Sequence, residues 1–407
     1  MGNQCVILIG GLGTRLGQRT KATPKPLLEV GGAPFLETLF GEARRRGFDE
    51  FLLLAGHLNE AVVAFLVERD IERRFSCRVD LSIEPTLLGT GGALINAVNQ
   101  LRDDFLLLNG DTWFDFNWLD LFARARRDRA GGALALREID DPDRYETVEL
   151  DGDIVRAIRP RGRKLASALI NGGVYYLTRQ ALGGSVAPSS LESDILPRLA
   201  ACRALKGYLY RGFFIDIGVP ASLAAADTLV PERRRRSAVF FDHDAVLSLD
   251  SGDVHVPRQV DWAAGAKEAV KLLNDAGYYA FVLTHESGVA TDLRGEAATE
   301  APHRRVSEEL AAVGASVDDW RNDPSHPEAD LAPSGAAHPG RKPGPGAILD
   351  LFAHWPIARE GSFLIGNKAS DIEAAEAAGI RGYAFEGRDL HAYLRERLRQ
   401  QQTAQAR

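Results

Sequence analysis

Along the first 230 positions, apolar residues fall into short runs: CVILI (5–9), FLLLAG (51–56), VDLSI (79–83), FLLLNGD (105–111), GALALR (132–137) and NGGVYYL (171–177). Runs of this length, closed by Gly, Asn or Asp, predict buried strands. Amphipathic stretches separate several of them, among them PFLETLFGEARRRGF (34–48) and LNEAVVAFLVERDIERRF (58–75). That alternation predicts a mostly parallel α/β sheet. It closes with GYLYRGFFIDIGVPASLAAADTL (207–229), a strand, a turn and a helix, followed by VPERRRRSAV (230–239).

A second alternation begins there. VFFD (239–242), YYAFVLT (278–284), FLIGN (363–367) and GYAF (382–385) read as strands, separated by helical patterns at 264–277, 304–315 and 372–379. We therefore expect two α/β domains, 1–230 and 238–407, joined by a linker at 231–237 in which Arg233 to Arg236 form a solvated charged run. Between Trp320 and Gly346 the chain turns to Pro, Gly, Ala, Ser and His, which predicts a long irregular loop.

Composition narrows the class of partner. The 407 residues are 45% apolar and 26% charged, the balance of a globular protein with sizeable cores. A net charge of −7 argues against general attraction to nucleic acid or anionic membrane, so any phosphate site must come from local arrangement. The three cysteines, Cys5, Cys77 and Cys202, have no disulfide or metal spacing, and the first apolar run is too short for a signal or a membrane span. The expectation is a cytoplasmic protein, with oligomer formation left open.

Candidate chemistry appears first in VILIGGLGTRLGQRTKATPKPLL. A strand leads into Gly10, Gly11 and Gly13, then Thr14 and Arg15, with Lys25 between two prolines. Glycines let backbone N–H groups approach an anion, and Arg15 and Lys25 can neutralise charge on a triphosphate. A glycine triplet alone would equally suit a tight strand-to-helix turn. Asp111 and Asp216 end apolar runs, where ligands collect in α/β sheets. Each alone could be a cap or turn aspartate; together beside a basic loop they suit Mg²⁺.

GGLGTRL, PKPLL, LGTGGAL, NGD, NGGVYYL and DIGVP, in that order, resemble the sugar-phosphate nucleotidylyltransferases. The resemblance implies a Rossmann-like mixed sheet and transfer of a nucleotidyl group from a nucleoside triphosphate to a sugar 1-phosphate, with release of pyrophosphate. It implies that Arg15 and Lys25 stabilise the transferred group and that Asp111 and Asp216 bind Mg²⁺. Gly89 and Thr90 would lie beside the nucleotide, and Asn171 and Gly172 beside the sugar. Two positions depart from the family. Tyr145-Glu146 stands where it carries Tyr-Gly, and Ile158-Arg159 where it carries Glu-Lys; Arg159 is then the candidate for the sugar phosphate.

The later half carries a second pattern. In FFDHDAVL, Asp242 ends a strand and Asp244 follows two residues on, which suits a nucleophilic carboxylate working with a metal, or a solvated turn with a cap. With LTHESGVA, GRKPGPGAI and IGNKASDIEAAEAAG, it resembles the haloacid dehalogenase-like phosphatases of the heptose 1,7-bisphosphate and histidinol-phosphate type. That implies a Rossmannoid parallel sheet, with Asp242 as nucleophile, Asp244 as acid and base, Thr284 and Lys342 as phosphate-binding groups, and metal ligation shared with Asn367 and Asp371. Asn367 stands where the family has Asp, Ala245 where it has Gly, and His285-Glu286 also departs. Relatives often carry a Cys/His zinc loop; here only Asp323, His326 and His338 remain, and solvent exposure is the simpler reading.

The two resemblances together imply a bifunctional chain using GTP and D-glycero-α-D-manno-heptose 1-phosphate. The alternative is a transferase for another hexose 1-phosphate whose second domain is a noncatalytic sugar-phosphate-binding or assembly module.

Overall fold

The computed structural model describes residues 3–11, 13–162, 164–242, 246–247, 260–284, 297–322 and 343–405. The chain divides into two compact units, 1–233 and 234–407.

In the first unit, the apolar runs form the strands Asn3–Leu8, Phe48–Ala55, Arg78–Ile83, Asp104–Asn109, Gly132–Asp140 and Ser167–Thr178. Asn3–Leu8 lies between Phe48–Ala55 and Asp104–Asn109 and is parallel to both. Its Cys5, Val6 and Ile7 are fully buried, as expected of a strand covered on both faces. Chain order reverses here, since the strand after Asn3–Leu8 lies to one side and Asp104–Asn109 to the other. Such a switch point opens a crevice at the carboxyl ends of the strands.

The sheet is mixed rather than mostly parallel. Ser167–Thr178 runs antiparallel between Asp104–Asn109 and Gly132–Asp140, and Leu205–Leu209 is parallel to the latter. Thr147–Asp151 and Ile154–Arg159 add an antiparallel hairpin at the edge, turned at Gly152 with φ +62°. A hairpin needs only a short turn, where a parallel crossover needs a dozen residues or more. The amphipathic stretch 58–75 also differs from one continuous helix, splitting into Asn59–Glu68 and Ile71–Arg74 at Asp70, φ +47°. Apart from the large sheet, Thr112–Phe114 pairs antiparallel with Phe214–Asp216, setting Asp216 opposite Thr112.

The expected linker is largely absorbed into regular structure. Helix Pro220–Arg234 runs through Pro231, and strand Arg236–Asp242 begins two residues after it ends. Arg236 is buried and its N–H donates to Pro356 O, so the basic run is not uniformly solvated.

The second unit has a five-stranded, all-parallel sheet in the order Asp319–Asn322, Tyr279–Thr284, Arg236–Asp242, Ile357–Gly366, Arg381–Ala384. Apolar side chains pack on both faces, one cluster including Val239, Phe241 and Val282, the other Phe240, Phe281 and Leu364. The helix Gly346–His354 begins where the irregular loop was expected to end. No helix among the described residues is long and apolar enough to cross a membrane.

Candidate active site

At the switch point of the first unit a cavity of about 560 Å³ opens beyond Leu8 and Asn109. Gly10, Gly11, Gly13, Thr14, Arg15, Lys25, Gly89, Thr90 and Asp111, all singled out in the sequence, line it. Gly13 is at φ +62°, and a Cβ there would come within 2.8 Å of Thr20. This turn therefore requires glycine on two counts.

Lys25 forms an ion pair with Asp111. Asp216 is brought to the same place by the short ladder of Thr112–Phe114 with Phe214–Asp216, and Ile217 N–H donates to Asp111 O at 2.9 Å. Burial, then the negative charge of Asp111, push the Asp216 carboxyl above its usual range; Lys25, the Gly218 N–H and Arg15 oppose the shift. The Gly218 N–H donates to Asp216 Oδ1 at 2.6 Å. Two carboxylates thus converge on one lysine, an oxygen-rich arrangement that suits a divalent cation. No group of three or more His, Cys, Asp or Glu able to hold a metal occurs among the described residues, and Mg²⁺ needs only one or two carboxylates beside water and phosphate oxygens.

Tyr145 packs edge-on to Phe214, and its hydroxyl is shifted upward by burial and then by Asp216. Beside it, burial also raises the Glu146 carboxyl; Arg161 lowers it and Glu192 raises it further. Asn171 is committed to its own strand, donating to Tyr175 OH at 2.8 Å and accepting from Gly173 N–H at 3.0 Å. A Cβ on Gly172 would meet the Phe114 ring at 2.4 Å, which ties that glycine to the wall carrying the aspartates. Neither Asn171 nor Gly172 lines the cavity, and nor does Arg159, whose guanidinium is held bidentately by Glu149 at 2.8 and 2.9 Å.

Three further charged residues do line it: Glu84, Arg161 and Glu192. Glu84 Oε2 accepts from Leu88 N–H at 2.9 Å, while no hydrogen bond from a described residue reaches Oε1. Burial pushes this carboxyl up. Glu192 accepts from the Thr90 and Ser190 hydroxyls at 2.7 and 3.2 Å.

In the second unit, Asp242 and Thr284 end neighbouring parallel strands, with Asp242 registered against Leu283. Gly366 ends the next strand on the other side and Asn367 follows it, and Asp371 lies in the first turn of helix Ala369–Ala377. Asp242, Thr284 and Asp371 are buried. Asp371 Oδ2 accepts from the N–H groups of Asn367 and Lys368 at 3.1 and 3.0 Å. A Cβ on Gly366 would stand 2.4 Å from the Asp371 Cβ and 2.5 Å from its Oδ2, so glycine permits the close turn. The Oδ1 of Asn367 is buried with no hydrogen-bond donor among the described residues, an oxygen of the kind a hard cation takes up. Asp244, Lys342, Ala245, His285, Glu286, Asp323, His326 and His338 lie outside the described residues.

The nucleotidyl transferase family model matches residues 4–233, more than half of the chain. This chain belongs to the nucleotidyl transferase family. Among curated relatives of the transferase, D-glycero-alpha-D-manno-heptose 1-phosphate guanylyltransferase of Campylobacter jejuni is 33% identical over 220 residues, 53% of this chain and 95% of that protein. The solved structure of HddC from Yersinia pseudotuberculosis complexed with GMP-PN is 28% identical, with a TM-score of 0.50, covering 56% of this chain and all of that one. A third relative is of another kind. D-glycero-beta-D-manno-heptose-1,7-bisphosphate 7-phosphatase of Rhodopseudomonas palustris is 43% identical over 170 residues, 42% of this chain and 94% of that protein.

Sequence motifs led to the glycine loop and the aspartates of this nucleotidyl transferase, but not to Glu84, Arg161 or Glu192. Glu84 precedes the motif LGTGGAL by four residues and Arg161 follows a family position by two, so their signal was proximity alone. Glu192 reaches the cavity through its hydrogen bond with Thr90, across 102 positions of sequence.

Proposed function

We propose that the first unit transfers GMP from GTP to D-glycero-α-D-manno-heptose 1-phosphate with Mg²⁺. The sugar phosphate oxygen attacks the α-phosphorus, the bond to the β-phosphate breaks, and pyrophosphate leaves. The observation that carries this reading is the pair of Lys25 and Asp111 on a glycine-walled cavity, with Asp216 close to both though not itself lining it, where charge on the transferred group can be neutralised. Asp111 and Asp216 would hold the Mg²⁺, which would draw charge from the phosphate oxygens. The similarity to the heptose 1-phosphate guanylyltransferase of Campylobacter jejuni supports the acceptor and the base. Glu84 supports the base independently. A carboxylate only accepts hydrogen bonds, and of the common bases guanine alone offers two adjacent donors, N1–H and N2–H₂, on its pairing edge.

The second unit we assign as a phosphatase removing the 7-phosphate of the heptose bisphosphate, with Asp242 as nucleophile, Asp244 as acid and base, and Thr284 and Lys342 on the phosphate. Asp242, Asp244, Asn367 and Asp371 would hold its Mg²⁺; the donor-free Oδ1 of Asn367 supports this. The same neutral residue favours a second reading, a noncatalytic sugar-phosphate-binding module, because fewer ligand charges weaken cation binding.

Pyrophosphate release by the full chain tests the transferase, using Mg²⁺, each common NTP and the heptose 1-phosphate. GTP-selective release supports it, and release with no NTP removes it. Phosphate release from the 1,7-bisphosphate, lost in Asp242→Asn, supports the phosphatase; binding without turnover supports the module. The relatives' names differ in anomer, so both α and β bisphosphates belong in the assay.

A further inference from the structure

We infer that Arg161, held in place by Glu146, is the residue that receives the phosphate of the sugar 1-phosphate, a role that the resemblance to the family gives to Arg159. The inference rests on the nucleotidyl transfer reading of the first unit.

The acceptor is an anion that must approach the α-phosphorus of another polyanion, so it needs a cation of its own. Three cations line the cavity among the described residues: Arg15, Lys25 and Arg161. Lys25 is paired with Asp111, and Arg15 follows the glycine loop that serves the triphosphate. Arg161 remains. Arg159 is two residues away, but its Nε and Nη2 donate to Glu149 and it does not line the cavity.

The loop carrying Arg161 is pinned beside Glu146. Gly162, at φ +83°, donates its N–H to Asp143 O at 3.0 Å, tying the loop to the turn Pro142–Arg144 that leads into Tyr145 and Glu146. The Glu146 Oε1 then lies 4.0 Å from Arg161 Nε. That is an ion pair without a hydrogen bond, so it restrains the guanidinium while leaving its terminal N–H groups for a phosphate. Glu192, the other carboxylate on this side, is occupied by the hydroxyls of Thr90 and Ser190. Arg161 is 58% exposed, accessible to a substrate entering from solvent. Glu146 thus acquires a use at the position where the family carries glycine: it is a positioning residue for Arg161.

The test uses the full chain with Mg²⁺ and GTP, following pyrophosphate release as the sugar 1-phosphate is varied. Arg161→Ala should raise the KM for the sugar phosphate about 10- to 100-fold, the usual range for a lost charge-assisted contact, with the KM for GTP within about threefold of wild type. Arg161→Lys should recover part of the loss. Glu146→Gln should raise the same KM, and adding it to Arg161→Ala should cost nothing further, because it acts through the arginine. An effect in Arg159→Ala and none in Arg161→Ala overturns the inference, as does an equal rise in both KM values. Should wild type release no pyrophosphate, the transfer reading fails separately, and calorimetry with glucose 1-phosphate decides the matter here. Binding weakened in Arg161→Ala sustains the assignment; unchanged binding, or none in wild type, overturns it.

Discussion

Gly218 offers a way to separate the chemistry of the first unit from its stability. Its φ lies outside the left-handed range, so the backbone accepts an alanine. The obstacle is local: the added Cβ would stand 2.6 Å from Asp216 Oδ1 and 2.9 Å from Lys25 Nζ. To reach ordinary contact at 3.4 Å, the carboxylate oxygen must retreat by roughly 0.8 Å and the ammonium by roughly 0.5 Å. Misplacement of reacting groups by about 1 Å costs on the order of 100-fold in rate, or about 2.7 kcal/mol of transition-state stabilisation. The same substitution lowers the entropy of the unfolded chain, worth about 0.4–1 kcal/mol in favour of folding and enough to offset much of the steric cost. Gly218→Ala should therefore lower kcat/KM about 100-fold in a pyrophosphate-release assay and raise the KM for Mg²⁺, while Tm stays within a few degrees. Activity within threefold of wild type would refute the geometry. A collapse in Tm would show that the crowding is relieved through the fold instead of the side chains.

Asp216, whose carboxyl is raised by burial and by Asp111, should lose Mg²⁺ to protons at a higher pH than an ordinary carboxylate. The apparent KM for Mg²⁺ should rise as pH falls through that raised value. Between the unfolded and the raised folded pKa the native state binds more protons, so this group makes the metal-free protein more stable as pH falls. Asp216→Asn should accordingly raise the Tm of the metal-free protein at neutral pH while abolishing transfer; a lower Tm would contradict the assigned burial cost. Glu84→Gln replaces two acceptors with an acceptor and a donor, matching uracil or thymine. The ratio of kcat/KM for GTP over UTP should drop at least about 100-fold, and an unchanged ratio would remove Glu84 from base reading. Asn367→Asp should reduce the Mg²⁺ needed for phosphate release from the heptose bisphosphate and lower Tm when Mg²⁺ is withheld, since the added charge is then buried and unpaired. An unchanged Mg²⁺ requirement would place Asn367 away from the metal.

The strands were legible where apolar runs were pure. CVILI and FLLLAG carry their burial in the letters alone, and both lie in the parallel part of the sheet. The edge hairpin Thr147–Asp151 with Ile154–Arg159 was not legible, because its strands are half-exposed and interleave charge with apolar residues. The two-helix break at Asp70 was hidden for a related reason: an aspartate in the left-handed region carries no apolar signature. At the site, the motifs led to side chains that line the cavity. They could not distinguish Arg159 from Arg161, since that difference is set by Glu149 on the opposite strand of the hairpin and by a backbone bond from Gly162 to Asp143. Contacts of that kind are made across the fold and leave no local pattern.

The short ladder that sets Asp216 opposite Thr112 has a consequence during synthesis. Asp111 emerges from the ribosome a hundred residues before its companion, and every strand of the large sheet precedes Asp216 in the chain. A nascent chain can therefore complete the pairing partners of that sheet while the paired carboxylates do not yet exist together. A cation that needs both carboxylates would find no such pair before Phe214–Asp216 has emerged, and a chain stopped short of Phe214 would retain the glycine loop without its second carboxylate. Chemical competence is thus among the last properties the first unit acquires.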